Sequence, residues 1–256
     1  SGLLGQEHAY ALLESGATVI LTDISLQDLG HAKKRLSKNF HSKRIIIKLM
    51  DVTSKDSIET VLKDLIEDKI RVDILVNNAA IDPKVDKKNE LEESSRLENF
   101  ALEQWNLEVN VGLTGAFLCS QVFGSGMASD KKGGVILNIA SDLALIAPDN
   151  RIYNNGKKLD FVKPISYSIS KHGLIGLTKY TATYWANKNI RCNALASGGI
   201  FNNQKSNFLK KIKKLIPLGR MAKQGEYENA ILFLISNDSS YMTGSTLVLD
   251  GGRTAW

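Results

Sequence analysis

The chain has 256 residues, of which 43% are apolar and 23% are charged, and its net charge is +6. This composition is ordinary for a globular protein and excludes a disordered chain, and the length suits a single α/β domain over residues 1–256. Lysines alternate with acidic residues over most of the chain, so a nucleic-acid-binding protein is not predicted.

Targeting signals and metal sites are not predicted either. The sequence lacks an apolar run long enough for a membrane span, and residues 1–5 lack the features of a signal peptide. Cys119 and Cys192 lie inside apolar runs without a CxxC motif, so we interpret them as small buried residues in a reducing compartment. We therefore expect a cytoplasmic protein that holds no metal.

Residues 1–5 have the composition of the end of a glycine-rich phosphate loop. Gly2 and Gly5 precede a helical pattern that runs to Glu14. Glycines at such a place let the backbone approach a pyrophosphate at a helix N-terminus. A simple turn is the alternative. The strand that usually precedes such a loop is expected ahead of Ser1.

Residues 17–23 form an apolar run that ends in an acid, which predicts a buried strand. Asp23 lies 18 residues beyond Gly5, close to the offset of about 20 residues at which a carboxylate binds an adenosine ribose. A carboxylate there accepts hydrogen bonds from both ribose hydroxyls and repels a 2′-phosphate, and the neighbouring Ile24 is neutral. We therefore predict NAD, with NADP less favoured; a solvated aspartate at a strand end is the alternative.

Strand and helix patterns alternate along the rest of the chain. The predicted strands are short apolar runs, and the predicted helices carry apolar residues at helical spacing. This alternation is typical of a Rossmann-type, doubly wound α/β fold, in which helices cover both faces of a parallel sheet. Strands are predicted at residues 44–49, 72–76, 134–140, 189–195 and 246–252, and helices at 26–39, 54–67, 101–126 (interrupted near 110–112), 167–187 and 226–235.

Three polar segments lie between these elements. Residues 82–99 are predicted to be a surface excursion with a partial helix, and residues 149–164 a long loop. Residues 203–216 contain five lysines and no acid.

Tyr167 and Lys171 begin the helix predicted at 167–187. Side chains at positions i and i+4 of a helix share a face. A nearby cation favours the phenolate, so Lys171 should lower the pKa of Tyr167 from about 10. A tyrosine with a lowered pKa can exchange a proton with a substrate oxygen near neutral pH. The spacing also occurs by chance in many helices.

Several motifs in the same order resemble the short-chain dehydrogenase/reductase family along essentially the whole chain. Ser141 follows a strand that ends in Asn138, Ile139 and Ala140, as the catalytic serine of the family does. The other matching motifs are Asp51-Val52, Asn77-Asn78-Ala79-Ala80, Asn110, the Tyr167 and Lys171 pair, Tyr241-Met242-Thr243-Gly244, and Val248-Leu249-Asp250-Gly251-Gly252.

The resemblance implies a role for each of four residues. Ser141 would donate a hydrogen bond to the substrate oxygen, and Tyr167 would be the acid in reduction and the base in oxidation. Lys171 would lower the tyrosine pKa and bind the nicotinamide ribose, and Asn110 would hold a water that relays protons. The cofactor contacts it implies are Gly2, Leu4, Gly5, Asp23, Ile24, Asp51, Val52, Asn78, Ala79, Ala80, Tyr167, Lys171, Gly198 and Ile200. It also implies a homo-oligomer, a tetramer or a dimer.

The sequence departs from the family pattern around the predicted substrate pocket. Ser197 stands where the family usually has proline, and Asn202 stands where threonine is common. Ser141 and Tyr167 are 26 residues apart, about twice the usual family spacing, and the extra residues fall in 149–164. This insertion resembles oxidoreductases found with bacterial flagellin-modification and sialic-acid-like sugar pathways. A substrate lid is expected at residues 200–216.

Together these features predict an NAD-dependent oxidoreductase that interconverts a secondary alcohol and a ketone on a polar, phosphorylated or nucleotide-linked sugar. An anionic substrate is predicted because basic residues lie on both sides of the expected pocket. The alternatives are a nucleotide-sugar epimerase or dehydratase, and a non-catalytic NAD-binding regulator. The basic residues are Arg151, Lys157, Lys158 and Lys163 in the insertion and Lys205, Lys210, Lys211, Lys213 and Lys214 in the lid.

Overall fold

The computed structural model describes residues 1–81, 94–153 and 161–256. Its strands are parallel and alternate with helices, so the predicted α/β fold class is confirmed. The strands are β1 (Val19–Asp23), β2 (Ile45–Leu49), β3 (Ile74–Asn77), β4 (Gly134–Ile139), β5 (Ile190–Ser197) and β6 (Thr246–Leu249). The helices are α1 (Leu3–Glu14), α2 (Leu26–Leu36), α3 (Lys55–Glu67), α4 (Leu102–Val109), α5 (Gly115–Ser129), α6 (Ile165–Tyr184), α7 (Ser206–Ile212) and α8 (Glu228–Ile235).

The strands form two parallel sheets. β1 pairs with β2, and the other four strands pair in the order β3-β4-β5-β6. Among the described residues β1 and β3 belong to different sheets, but Ile20 of β1 and Leu75 of β3 pack against one apolar cluster that includes Ile58 and Phe123. The two sheets therefore share a core. The strand predicted ahead of Ser1 stays an expectation.

Serine side chains fix where two of the helices begin. Ser25 Oγ accepts a hydrogen bond from the Asp28 amide (3.2 Å) at the start of α2, and Ser54 Oγ accepts one from the Ser57 amide (3.2 Å) at the start of α3. Such a cap stabilises a helix by about 1 kcal/mol because it satisfies an amide that has no partner inside the helix.

Helix α6 begins two residues earlier than predicted and ends earlier as well. Pro164 occupies the position before its first residue, with φ −55°. Proline is favoured where a helix begins because its φ is already restricted and its missing amide proton is not needed there. At the other end Asn189 adopts a left-handed conformation with φ 56°, which ends the turn that follows the helix.

The helix predicted at 101–126 is continuous in direction but changes its hydrogen-bonding pattern. A π-helical segment, Asn110–Thr114, joins α4 to α5, and the Gly115 amide donates to the Asn110 carbonyl. By length and composition the run Leu102–Ser129 could cross a membrane, but half of its apolar window is buried inside the molecule (50%). We therefore interpret it as a core helix of the fold.

Both cysteines are buried, as the sequence predicted, and neither forms a disulfide. Burial raises the pKa of the Cys119 and Cys192 thiols to about 12. Both therefore stay protonated at neutral pH and act as small apolar side chains. Residues 82–93 of the predicted surface excursion lie outside the described residues.

Candidate functional site

Several of the motifs found in the sequence lie at the carboxyl ends of the strands. Asp23 ends β1, and Asn77 ends β3 opposite Asn138 of β4. Ser197 ends β5 opposite Leu249 of β6. Because the strands are parallel, these ends meet along one edge of the molecule, where open α/β sheets bind their ligands.

A network of buried side chains fixes the middle of this edge. Asn77 Nδ2 donates to Asn138 Oδ1 (2.8 Å) and to Ser120 Oγ (3.0 Å), and Asn138 Nδ2 donates to Thr178 Oγ1 (2.8 Å). These bonds join β3, β4, α5 and α6 in the apolar interior, where an unpaired amide would be costly. The network therefore sets the relative positions of the segments that leave β3 and β4.

The glycine loop lies against the end of β3. A Cβ built on Gly5 would come 3.2 Å from Asn78 Nδ2, so a larger residue would push the loop away from that side chain. A Cβ built on Gly2 would have no atom within 4 Å. Leu4 packs its side chain into the core beside β4 and β5, so only its backbone is left for a cofactor. These positions fit a pyrophosphate held by backbone amides at the start of α1.

Asp23 is tied to the beginning of the same loop. Its Oδ2 accepts a hydrogen bond from the Ser1 hydroxyl, and its Oδ1 accepts one from the Ser25 amide (3.1 Å). Partial burial works to raise the pKa of Asp23, but the hydrogen bonds from Ser1 and Ser25 outweigh it and hold that pKa below its usual value. The carboxylate is therefore charged at neutral pH. It lies at the end of β1, where a carboxylate that binds the adenosine ribose is expected.

The residues that follow β2 lie next to Asp23. The Met50 amide donates to the Asp23 carbonyl (3.0 Å), which brings the residues after β2 to the end of β1. Asp51 Oδ1 accepts from the Thr53 amide (2.8 Å), so its side chain closes the turn into α3. The other predicted contacts range from half-buried to exposed: Val52, Ile24, Ala79 and Ala80.

Tyr167 and Lys171 lie in the first turns of α6, close to the end of β4. Lys171 Nζ lies 5.7 Å from the centroid of the Tyr167 ring and donates a hydrogen bond to the Ile139 carbonyl (2.7 Å). The lysine is only 6% exposed. The backbone carbonyl thus fixes the orientation of the Lys171 ammonium near the phenol, and a cation there favours the phenolate.

Ser141 follows β4 and is buried on the same side. Its Oγ donates to Asp142 Oδ1 (2.8 Å) and accepts from the Leu143 amide (3.2 Å). Asp142 Oδ2 in turn accepts from Arg253 Nη1 (2.8 Å), with side chains 3% and 9% exposed. The serine hydroxyl is thus held by a buried ion pair between the end of β4 and the turn that follows β6.

Asn110 is the first residue of the π-helical segment and is exposed. The segment packs closely on α6 because a Cβ on Gly112 would come 3.4 Å from Ser170 Cβ. The space at Gly173 is smaller still, since a Cβ there would lie 2.6 Å from the Leu113 side chain. The glycines place Asn110 on an element in contact with the helix that carries Tyr167 and Lys171.

The segment after β5 is held by close backbone contacts. The Gly198 amide donates to the Leu249 carbonyl (2.8 Å), and a Cβ on Gly198 would lie 3.0 Å from Asp250 Cα. Ile200 forms a parallel bridge with Ala222, in which the adjacent residues make the hydrogen bonds. The amide of Ile200 therefore points away from Ala222, and its contact with a cofactor carboxamide stays a prediction.

The insertion and the predicted lid pack on each other. Ile152 of the insertion and Ile212 of α7 belong to one buried apolar cluster, and the Tyr153 and Phe208 rings lie 5.6 Å apart. Lys211 Nζ donates to the Arg151 carbonyl (3.2 Å). The two basic segments are thus in contact with each other. That they flank a substrate pocket from both sides stays a prediction. The guanidinium of Arg151 is paired with its neighbour Asp149, and Lys157 and Lys158 lie outside the described residues.

Comparison with known proteins identifies the family. A family model described as "Enoyl-(Acyl carrier protein) reductase" matches residues 3–254. A 3-oxoacyl-(acyl-carrier-protein) reductase of Thermotoga maritima is 32% identical, over 97% of this chain and 92% of the relative. The chain belongs to the short-chain dehydrogenase/reductase family. It is an oxidoreductase of the kind that acts on alcohol and ketone groups with a nicotinamide cofactor.

Two further members of the short-chain dehydrogenase/reductase family bear on this chain. Post-translational flagellin modification protein A of Campylobacter coli is 31% identical, over 98% of this chain and 94% of the relative. The solved structure of a short chain dehydrogenase from Leptospira borgpetersenii with bound NAD+ superposes with a TM-score of 0.84 and is 33% identical, covering 99% of this chain and 89% of that one. The resemblance found in the sequence, including the flagellin-modification relative, is confirmed.

Sequence reasoning missed three residues of this short-chain dehydrogenase/reductase site. Asp142 and Arg253 form a buried ion pair across 111 residues, and no local pattern indicates such a pairing. Glu108 is buried and accepts a hydrogen bond from Ser166 in the first turn of α6. A glutamate between apolar residues of a core helix was the available signal, because a buried acid needs a partner.

Proposed function

We propose that residues 1–256 form one domain that interconverts a secondary alcohol and a ketone with Asn110, Ser141, Tyr167 and Lys171 as its catalytic residues. The observation that carries this proposal is the arrangement around the end of β4. Lys171 is fixed by the Ile139 carbonyl beside the Tyr167 ring, and Ser141 follows two residues after Ile139. These contacts support the proposal, because they bring a phenol, an ammonium and a hydroxyl onto elements that touch one another.

Each side chain has a distinct part in the proposed reaction. The cofactor supplies or accepts the hydride when it is bound. Ser141 turns its hydroxyl from Asp142 toward the substrate oxygen, while the ion pair with Arg253 keeps the carboxylate in place. Tyr167 gives its phenolic proton to that oxygen in reduction and takes it back in oxidation. Lys171 stabilises the phenolate during the transfer.

The proposal is tested by measuring substrate-dependent formation or consumption of the reduced cofactor over a panel of keto-sugars and sugar alcohols. We expect turnover with at least one polar sugar, and none when both Tyr167 and Ser141 are replaced. Binding of NAD without turnover over the whole panel would favour the non-catalytic regulator. Isomerisation without net cofactor reduction would favour the epimerase.

We propose that the cofactor is NAD. Solved relatives with this fold hold either NAD+ or NADP, so the choice between them depends on the individual chain. Here Asp23 carries a negative charge at the end of β1, and Ile24 beside it is neutral and 73% exposed. A 2′-phosphate at this place would be repelled by the carboxylate, whereas the two hydroxyls of an unphosphorylated ribose can donate to it.

We expect kcat/KM to be at least about tenfold higher with NAD than with NADP, which corresponds to about 1.4 kcal/mol. Asp23→Asn should reduce this ratio because it removes the charge that repels the phosphate. Asp238→Asn, which makes the same change near the opposite edge, should not alter it. Equal kcat/KM values for the two cofactors in the unmodified protein would contradict the assignment.

We propose that the substrate is an anionic sugar. Helix α7 and the turn after it contain Lys210, Lys211, Lys213 and Lys214, and they pack on the insertion that precedes α6. A basic rim beside the site would concentrate a negatively charged substrate and help to orient its phosphate. The similarity to a flagellin modification protein favours a sugar.

This proposal predicts a steep salt dependence. With the anionic substrate kcat/KM should fall as added salt shortens the Debye length from about 10 Å toward about 3 Å. Lys210→Gln combined with Lys211→Gln should flatten the dependence. As a matched control, Lys131→Gln combined with Lys132→Gln should leave the salt dependence unchanged, because these two lysines lie just before the amino end of β4. A kcat/KM that does not respond to salt would rule out the anionic substrate and leave the oxidoreductase.

We propose that the protein is a homo-oligomer, a tetramer or a dimer. Large apolar side chains are exposed on α4, α5 and α6, and burying such a face requires a partner. We expect light scattering at micromolar concentration to give a multiple of the 28.2 kDa chain mass, and Tyr180→Glu combined with Phe117→Glu to lower it. A monomeric mass would contradict the proposal. The exposed residues are Leu102, Leu107, Phe117, Ile169, Tyr180 and Tyr184.

A further inference from the structure

A second lysine lies against the ring of Tyr167. Lys163 Nζ lies 3.8 Å from the ring centroid, closer than the 5.7 Å of Lys171 Nζ. The two lysines stand four residues before and four residues after the tyrosine. The proposed reaction gives a part only to Lys171.

The backbone of Lys163 is fixed by the insertion. Its amide donates to Asn150 Oδ1 (3.1 Å), and Asn150 begins the turn whose Ile152 is buried in the cluster shared with α7. On the other side, the Tyr167 amide donates to the carbonyl of Pro164 (3.2 Å), which closes the first turn of α6. Lys163 is therefore held just ahead of the helix, where its side chain folds back over the ring of Tyr167.

We propose that Lys163 is a positioning residue for the acid–base chemistry, whose ammonium lies on the ring face and favours the phenolate of Tyr167. The inference rests on the proposed role of Tyr167 as proton donor. A cation over an aromatic face is attracted by the electrons of the ring. The attraction increases when the phenol ionises, because the ring then carries negative charge, so the pKa of Tyr167 falls.

Within residues 1–81, 94–153 and 161–256, two buried acids lie on the elements packed against the start of α6. They are Asp142 and Glu108, and a negative charge disfavours a phenolate. Asp142 is paired with Arg253, and Glu108 accepts hydrogen bonds from Ser166 and Gln104. The remaining charged or titratable groups on α6 and its neighbouring elements include Glu103, His172, Lys179, Lys188 and Arg191.

The test is a titration of the Tyr167 phenolate by its ultraviolet absorbance, taken as the difference between each protein and the same protein carrying Tyr167→Phe. Lys163→Gln should raise the pKa of Tyr167 by about 0.5 to 1 unit, because the positive charge over the face of its ring is lost. Lys163→Arg should restore the original value. The apparent pKa in the pH dependence of kcat/KM should rise by the same amount for oxidation and for reduction, since both directions depend on the ionisation of Tyr167.

Two further variants decide the outcome. Lys179→Gln removes the same charge from an exposed position three turns along α6 and should shift nothing, while Lys163→Met should shift the titration as Lys163→Gln does. An unchanged Tyr167 titration in both charge-free variants, each checked for native circular dichroism, would overturn the inference even if KM rose. Absence of NAD-linked turnover in the unmodified protein would instead count against the proposed function.

Discussion

Replacing Tyr167 with phenylalanine is expected to lower kcat by about 10²–10⁴-fold while NAD affinity stays within about twofold of the original value. The substitution removes one hydroxyl and keeps the ring, so the contacts of the ring with its surroundings persist. Only the proton that passes to or from the substrate oxygen is lost. Steady-state kinetics and a separate NAD-binding titration measure the two quantities independently.

The matched control for this variant is Tyr184→Phe. Tyr184 lies on the same helix, is 62% exposed and stacks on the exposed ring of Tyr180. The Tyr184→Phe variant also loses one phenolic hydroxyl, but far from the end of β4, so its kcat should be unchanged. Retention of more than a few per cent of activity by Tyr167→Phe would show that the proton takes another path.

Lys171→Ala is expected to damage both chemistry and cofactor binding. We expect kcat to fall by about 10²-fold or more, since the phenolate loses its closest buried cation on α6, and NAD affinity to fall by about tenfold, since an ammonium donor to the ribose is lost. The Ile139 carbonyl also loses its donor, which costs about 1–3 kcal/mol if no water replaces it. Kinetics, NAD titration and thermal unfolding separate these three effects.

A more conservative variant distinguishes function from packing. Lys171→Met keeps the length and apolar stem of the side chain, so it should preserve more of the thermal stability than alanine while losing the same activity. Lys179→Ala, an exposed lysine two turns farther along α6, should change neither kcat nor NAD affinity. If Lys171→Ala bound NAD with its original affinity, the role of this lysine at the ribose would be wrong.

The fold class was predictable from local patterns. The apolar run that ends at Asp23 and the runs before Asn77 and Ser141 indicated buried parallel strands, because such strands are covered on both faces and carry few polar residues. Parallel strands place their carboxyl ends at one edge, so the order of the motifs also predicted which residues would meet there. The spacing of Tyr167 and Lys171 predicted a shared helix face, and the structure places Lys171 Nζ 5.7 Å from the tyrosine ring centroid.

Element ends were less predictable than element types. The start of α6 at Ile165 depends on Pro164, which fixes the backbone just before the helix, and not on the apolar pattern that begins later. The expected break near Asn110 is a π-helical segment, which keeps the helix continuous. Glycines at 112 and 173 allow that segment to approach α6 so closely, and their effect depends on which helix they face.

The sequence by itself determined the alternation of strands and helices and the edge at which the strand-end motifs meet, and it predicts four catalytic residues. Each of these follows from a period or a motif within a short stretch of chain. Only the tertiary structure decided that Arg253 pairs with Asp142 behind Ser141, and that Lys163 lies on the ring of Tyr167. These contacts join residues through the packing of separate elements: the turn after β6 reaches the end of β4, and the insertion fixes the backbone ahead of α6. No local pattern encodes such a contact, because the residues next to a lysine or an arginine in sequence do not show whether its side chain is paired inside the protein or solvated at the surface.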